Sequence, residues 1–185
     1  MQEVGRLSRL AEIDLADGSM EPEKNVLRIA RRDSAVFSIA IAILDGTNGH
    51  SMQEIKFPDI DEIFQPSWSP DGSRIVFSGQ AGGYTDLYVH DLTSVTTKRL
   101  TSDAYSDLQP VWSPDGLRIV FGRVDTQTNS DIMVLTLESP GGMPAKDSKP
   151  EVFVSTPFNE THGQVSPNGK WIAYASWRDS TGGHL

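Results

Sequence analysis

One eight-residue word occurs twice in this chain, and it constrains the fold more than any other feature of the sequence. QPSWSPDG begins at Gln65, and QPVWSPDG begins at Gln109, 44 positions later, with seven of the eight letters shared. Each word is followed, after one intervening residue, by RIVF, and then by DLYV from Asp86 or DIMV from Asp131. A weaker third copy, GQVSPNGKWIAYAS, begins at Gly163. Self-similarity with a period of roughly 40–45 residues is typical of stacked repeat architectures.

Each copy of the repeat predicts a set of short strands. In SPDG, proline presets its φ angle, aspartate hydrogen-bonds locally and glycine accepts a positive φ, which together make a tight turn. RIVFSG is expected to be a strand with Ile75 and Phe77 on one face, DLYVHDL a second strand, and TKRLT a shorter one. Trp68 and Trp112, just before the turn, are expected to pack between units. The sequence therefore predicts an all-β fold, an incomplete β-propeller of four-stranded antiparallel blades, with about three and a half blades in this chain.

The positions of the turns divide the chain into units. Residues 1–24 are expected to be the remnant of a preceding blade or a disordered segment, and 25–64 a partial blade. Residues 65–108 form one blade, 109–160 another with a long loop at 138–150, and 161–185 the first two strands of a further blade and a tail. An open half-ring would expose apolar faces, which favours self-association. Three interpretations stay open: a fragment, a truncated reading frame, or a protomer that completes its ring by dimerising.

Composition excludes several classes of function. The net charge is −9, whereas a nucleic-acid interface needs clustered lysine and arginine. The chain has no cysteine, which excludes disulfides and thiolate chemistry. The longest uncharged apolar run, residues 35–44, is too short for a membrane span, which needs about 20 residues. The N-terminus has no apolar core of a secretory signal.

Motifs for catalysis, cofactors and metals are missing from the sequence. It has no G-x-S-x-G nucleophile elbow, no H-E-x-x-H pair and no glycine-rich phosphate loop. Each SPDG turn offers one carboxylate, whereas a calcium site needs several oxygen ligands. We therefore expect no enzyme, no catalytic residues, no cofactor and no metal.

WSPDG-RIVF followed by DLYV-DL and RLT resembles the WD40-like PD40 repeats of TolB-type β-propellers, over about residues 25–177. The resemblance implies a non-catalytic module that binds a protein or peptide, in the periplasm or elsewhere in the bacterial cell envelope. A cytoplasmic location stays open because the chain begins without an export signal. Two alternatives share these repeats: the propeller of a prolyl-oligopeptidase-like peptidase, and the sensor region of a bacterial kinase.

Acidic connectors are the candidate binding site. PDIDEIFQ (58–65) and SDAYSDLQ (102–109) each link an outer strand to the next inner strand, which in a propeller reaches the mouth of the channel. Clustered carboxylates there would attract a basic peptide or a cation, although loop charges are often merely solvated. The predicted binding residues are Asp59, Asp61, Glu62, Asp103, Asp107, Glu160 and His162. The predicted structural turns are Ser69, Pro70, Asp71 and Gly72; Ser113, Pro114, Asp115 and Gly116; and Ser166, Pro167, Asn168 and Gly169.

Overall fold

A computed structural model describes residues 26–30, 39–125, 129–144 and 148–177 of the chain. Within these ranges every regular element is a β-strand and every strand pairing is antiparallel. The predicted N-terminal segment 1–24, part of the 138–150 loop and the tail after residue 177 lie outside the described residues.

The strands form four sheets in chain order, and the order within each sheet is sequential. The first sheet contains β1 (Val26–Ala30), β2 (Ile39–Leu44) and β3 (Ser51–Phe57). The second contains β4 (Glu62–Trp68), β5 (Arg74–Ala81), β6 (Tyr84–Asp91) and β7 (Thr96–Arg99). The third contains β8 (Ser106–Trp112), β9 (Arg118–Val124), β10 (Ser130–Thr136) and β11 (Glu151–Val154). The fourth contains β12 (Asn159–Val165) and β13 (Ile172–Trp177).

The repeated turn joins the first and second strands of a sheet in the same way each time. The Ser69 hydroxyl donates to Asp71 Oδ1 at 2.6 Å and accepts from the Arg74 backbone N–H at 2.9 Å. Gly72 has a φ of 69°, which glycine adopts without steric cost. These hydrogen bonds favour the charged carboxylate, so the hydroxyls of Ser69 and Ser73 lower the pKa of Asp71 to about 2. The Ser113–Gly116 and Ser166–Gly169 turns repeat the serine hydrogen bonds.

The core lies between successive sheets, because alternate residues of the second strand face opposite neighbours. Phe77 packs toward the first sheet, with its ring centroid 4.9 Å from that of Phe57. Val76, one residue away, joins a second cluster with Trp112 and Phe121 of the third sheet. Trp112 therefore packs between sheets, as predicted, and Trp68 lies partly buried against the first cluster. This two-sided burial explains why RIVF has an unbroken apolar run.

The fourth sheet has only two strands among the described residues, and its apolar side chains are correspondingly exposed. β12 packs against β8, β9 and β10. Tyr174 is 43% exposed, whereas Phe121, the matching residue of the third sheet, is fully buried. The four sheets thus form an open arc in the part of the chain that is described, which confirms the predicted incomplete propeller of antiparallel blades.

Candidate functional site

The inner wall of the arc is made by β4, β8 and β12, the first strands of three successive sheets. β8 contacts both β4 and β12. Each of these strands has a β-bulge at one matching residue, and that residue has a positive φ: Gln65 at 49°, Gln109 at 58° and His162 at 57°. Non-glycine residues rarely adopt this conformation, and such outliers concentrate at functional sites.

A ladder of hydrogen bonds links the three bulges. The side-chain Oε1 of Gln65 accepts from the backbone N–H of Gln109 at 2.9 Å. In the same way, Oε1 of Gln109 accepts from the backbone N–H of His162 at 2.8 Å. The amide Nε2 of Gln109 also lies 3.0 Å from Nε2 of the His162 ring. Each inner strand is therefore tied to the next by the side chain of its left-handed residue, and we call this row the inner ladder.

The acidic connectors lie where the inner strands begin, at the opposite end of each strand from the SPDG turn. Asp59, Asp61 and Glu62 of the first connector are exposed to solvent. In the second connector Asp103 is half-buried and Asp107 is fully buried. The predicted seven residues thus divide into solvent-facing and internally bonded groups.

Arg123 of β9 holds the second connector. Its Nε and Nη2 donate to the two Asp107 carboxylate oxygens at 2.8 and 2.9 Å, and Nη2 also pairs with Asp103 at 2.7 Å. The Tyr105 ring lies 4.8 Å from the guanidinium carbon, in cation–π contact. Burial raises the pKa of Asp107, and the hydrogen bonds and charge of Arg123 oppose that rise. Burial also disfavours the charge of Arg123, but the two carboxylates outweigh it and raise the pKa of Arg123.

A second arginine extends this cluster to the preceding sheet. Asp86, fully buried at the start of β6, pairs with Arg99 and accepts a long 3.4 Å hydrogen bond from the Thr101 hydroxyl. Oxygens of Asp86, Asp103 and Asp107 lie within 4.8 Å of one another, which is close enough to share a metal ion. Arg99 and Arg123 already supply positive charge there, so the cluster has the composition of an internal ion-pair network between the two sheets.

The third connector has a buried carboxylate too, but its partners are hydroxyls. The Glu160 carboxylate accepts from the Thr156 hydroxyl and, at 3.2 Å, from the Ser176 hydroxyl. His162, two residues on, is exposed and belongs to the inner ladder. Of the seven predicted residues, then, four are exposed to solvent: Asp59, Asp61, Glu62 and His162.

A groove opens beside the ladder, between the second and third sheets. It has a volume of about 460 Å³, and its walls include Phe64, Gln65, Gln80, Thr85, Leu108 and Val124. Sequence reasoning predicted neither this groove nor the ladder, and it did not single out Arg123. The only available signal was that Gln65 and Gln109 occupy the same place in the repeated word.

Four-stranded antiparallel sheets stacked through their faces, with a turn repeated at each inner hairpin, define a β-propeller repeat protein. The model of the TolB β-propeller domain family matches residues 37–183. The chain therefore belongs to that family.

Similar proteins agree with this assignment. The Tol-Pal system protein TolB of Nitrosomonas europaea is 30% identical over 96 residues, which is 51% of this chain and 22% of that protein. The crystal structure of TolB from Acinetobacter baumannii superposes with a TM-score of 0.66 at 23% identity, over 86% of this chain and 36% of that one. A putative TolB from Agrobacterium tumefaciens gives 0.61 at 22% identity, over 84% and 56%. This chain thus spans between 22% and 56% of the length of these relatives.

Other propellers share only the fold. A structure from a study of two prolyl endopeptidases superposes with a TM-score of 0.52 at 14% identity, over 84% of this chain and 26% of that one. That similarity concerns the arrangement of blades and carries no assignment of activity. Among the described residues, no helix reaches the length and apolarity that crossing a bilayer requires.

Proposed function

We propose that this chain is a non-catalytic binding module of the bacterial cell envelope that takes a protein or peptide partner. The observation that supports this most is the family match over residues 37–183, together with a relative named as a component of the Tol-Pal system. A periplasmic location follows from the same relationship and is part of the proposal.

We place the partner at the connector end of the inner arc. Asp59, Asp61 and Glu62 are exposed there and supply negative potential, while the ladder and the groove supply hydrogen-bonding and apolar surface. A surface with this chemistry suits a basic segment with an apolar side chain, and complementary charge speeds association. Asp107 and Glu160 hold the connectors in place, because both are buried and bonded within the protein.

Calorimetry with the Pal component from the same genome tests the proposal. The variant Asp59→Asn/Asp61→Asn/Glu62→Gln removes the exposed connector charge, and we expect it to weaken binding about tenfold at low salt. The control Glu54→Gln/Glu138→Gln/Glu151→Gln removes equal charge from exposed residues away from the connectors and should bind like the parent chain. Equal affinity of both triple variants would place the partner elsewhere, and no heat from any of the three proteins would refute the choice of partner.

The two alternatives, a peptidase propeller and a kinase sensor region, make a different prediction. Each requires a hydrolase or a kinase domain in the same gene, so sequencing the flanking DNA separates them from the proposed module. A G-x-S-x-G motif downstream would favour the peptidase.

A further inference from the structure

The third residue of the inner ladder differs chemically from the first two, because it can change its charge. Gln65 and Gln109 carry neutral amides, whereas His162 carries an imidazole, the side chain that usually titrates between pH 5 and 8. Its ring nitrogens lie close to two neutral groups: Nε2 is 3.0 Å from Gln109 Nε2, and Nδ1 is 2.9 Å from Thr161 Oγ1.

These contacts determine which nitrogen carries the proton. Gln109 Oε1 faces the His162 backbone N–H, so the amide cannot be reversed without setting two donors against each other. Gln109 Nε2 is therefore the donor to the ring, and His162 Nε2 must have a free lone pair. This geometry fits a neutral ring whose proton is on Nδ1, directed at the Thr161 hydroxyl.

A second proton on the His162 ring is incompatible with the contact between its Nε2 and the Gln109 amide. It would place an N–H on Nε2 against the N–H of Gln109 at a separation of 3.0 Å. Gln109 cannot turn its amide to accept, because Oε1 is held by the His162 backbone. Since His162 is exposed, the charged ring can instead turn outward and donate to water.

Four of the five charged side chains on the strands around this rung are engaged elsewhere. β12 packs against β8, β9, β10 and β13, whose charged residues are Asp107, Arg118, Arg123 and Asp131, with Glu160 on β12 itself. Asp107 and Arg123 pair with each other, and Arg118 pairs with Asp115. Glu160 is bonded to hydroxyls. The Gln65–Gln109 rung has no titratable member at all.

We propose that His162 is a pH-sensitive switch in the inner wall: protonation releases its ring from the Gln109 amide Nε2, while the hydrogen bond from the His162 backbone N–H to Gln109 Oε1 stays in place. The Gln65–Gln109 rung has no such ring contact and does not respond. If the proposed function holds, acidification alters the partner-binding wall at one junction only. The switch itself is a property of the free chain.

Nuclear magnetic resonance of the free, ¹⁵N-labelled chain tests the switch. Above the titration midpoint we expect His162 to show the tautomer with its proton on Nδ1, and the Gln109 side-chain amide signals to shift on acidification with the midpoint of the His162 ring. The Gln65 amide signals should shift far less. The variant His162→Gln, which installs the residue of the other two repeats, assigns the ring signals and should abolish the Gln109 shift.

Two results would overturn the proposal. One is a neutral His162 ring with its proton on Nε2, and the other is a Gln109 titration that survives in His162→Gln. Because no partner is added, neither result depends on whether the proposed binding function is correct.

Discussion

His90 should make this protein less stable in mild acid, and its replacement by leucine should remove that sensitivity. The ring is 3% exposed, between the first and second sheets, with its centroid 5.7 Å from that of Phe57 in an edge-on contact. Nδ1 lies 2.9 Å from the Thr97 hydroxyl, while buried Nε2 has no hydrogen-bond partner. Leu135 occupies the matching position of the next sheet and is equally buried. The position therefore accepts an aliphatic side chain of similar size.

Burial lowers the pKa of His90, and the charge of Asp91 only partly opposes this. The unfolded chain, where histidine has a pKa of about 6.5, then binds more protons than the folded chain. Stability contributed by the neutral ring is fully present above about pH 6.5 and is lost as the pH falls, with a limiting slope of about 1.4 kcal/mol per pH unit. At pH 7 the variant His90→Leu also removes an unsatisfied buried nitrogen and gains apolar burial, against the lost Thr97 hydrogen bond. We expect it to be about 1–2 kcal/mol more stable than the parent chain.

Urea unfolding of the parent chain and of His90→Leu at intervals from pH 5.5 to 8 measures both effects. The difference in unfolding free energy between the two proteins should widen as the pH falls, and subtraction cancels the carboxylates they share. His50→Gln, a change at an exposed histidine, should leave the pH dependence unaltered. Parallel curves for the parent chain and His90→Leu would refute the reasoning, because the ring would then have the same proton affinity folded and unfolded.

Two further substitutions test the junction between the second and third sheets. Arg123→Met leaves two carboxylates without their guanidinium partner and should lower the free energy of unfolding in urea by about 3–5 kcal/mol. The control Arg118→Met breaks only an exposed ion pair and should lower it by about 0–1 kcal/mol. Equal losses of unfolding free energy would contradict a stabilising role for the cluster. Gly141→Ala places a methyl group against Arg74 Nη1 at a φ of 67°, whereas Gly49→Ala meets open space at a φ of 72°. Both should lower the thermal midpoint, but Gly141→Ala should be worse by about 0.5–1 kcal/mol, because Arg74 must shift within its ion pair with Asp91. Equal midpoints would show that Arg74 moves without cost.

The repeat predicted the sheets well, because each strand of a blade follows from a local pattern. Strand geometry places alternate residues of RIVF and DLYV on opposite faces of the sheet, and the SPDG turn determines where the inner hairpin closes. Prediction of the fold therefore needed only short stretches of sequence.

The site was less predictable, because long-range partners decide which carboxylates reach solvent. Asp61 and Asp107 lie in similar acidic connectors, yet Asp107 is buried because Arg123, on the following strand, reaches back to it. The spacing of residues in the connector does not indicate that Arg123 is the partner. The ladder was hidden for another reason: Gln65 and Gln109 each precede proline, which normally holds the preceding residue extended, so their positive φ angles run against the local signal.

The inner ladder also affects how a repeat protein of this kind can gain blades by duplication. Each rung joins an amide oxygen from one sheet to a backbone N–H from the next, so every internal unit carries one acceptor and one donor. A duplicated stretch of 44 residues would contain both the amide-oxygen acceptor and the backbone N–H donor. The bulges on either side of the insertion would therefore keep their hydrogen bonds. Gene duplication could thus lengthen the chain by whole units without requiring new hydrogen-bonding groups between neighbouring sheets.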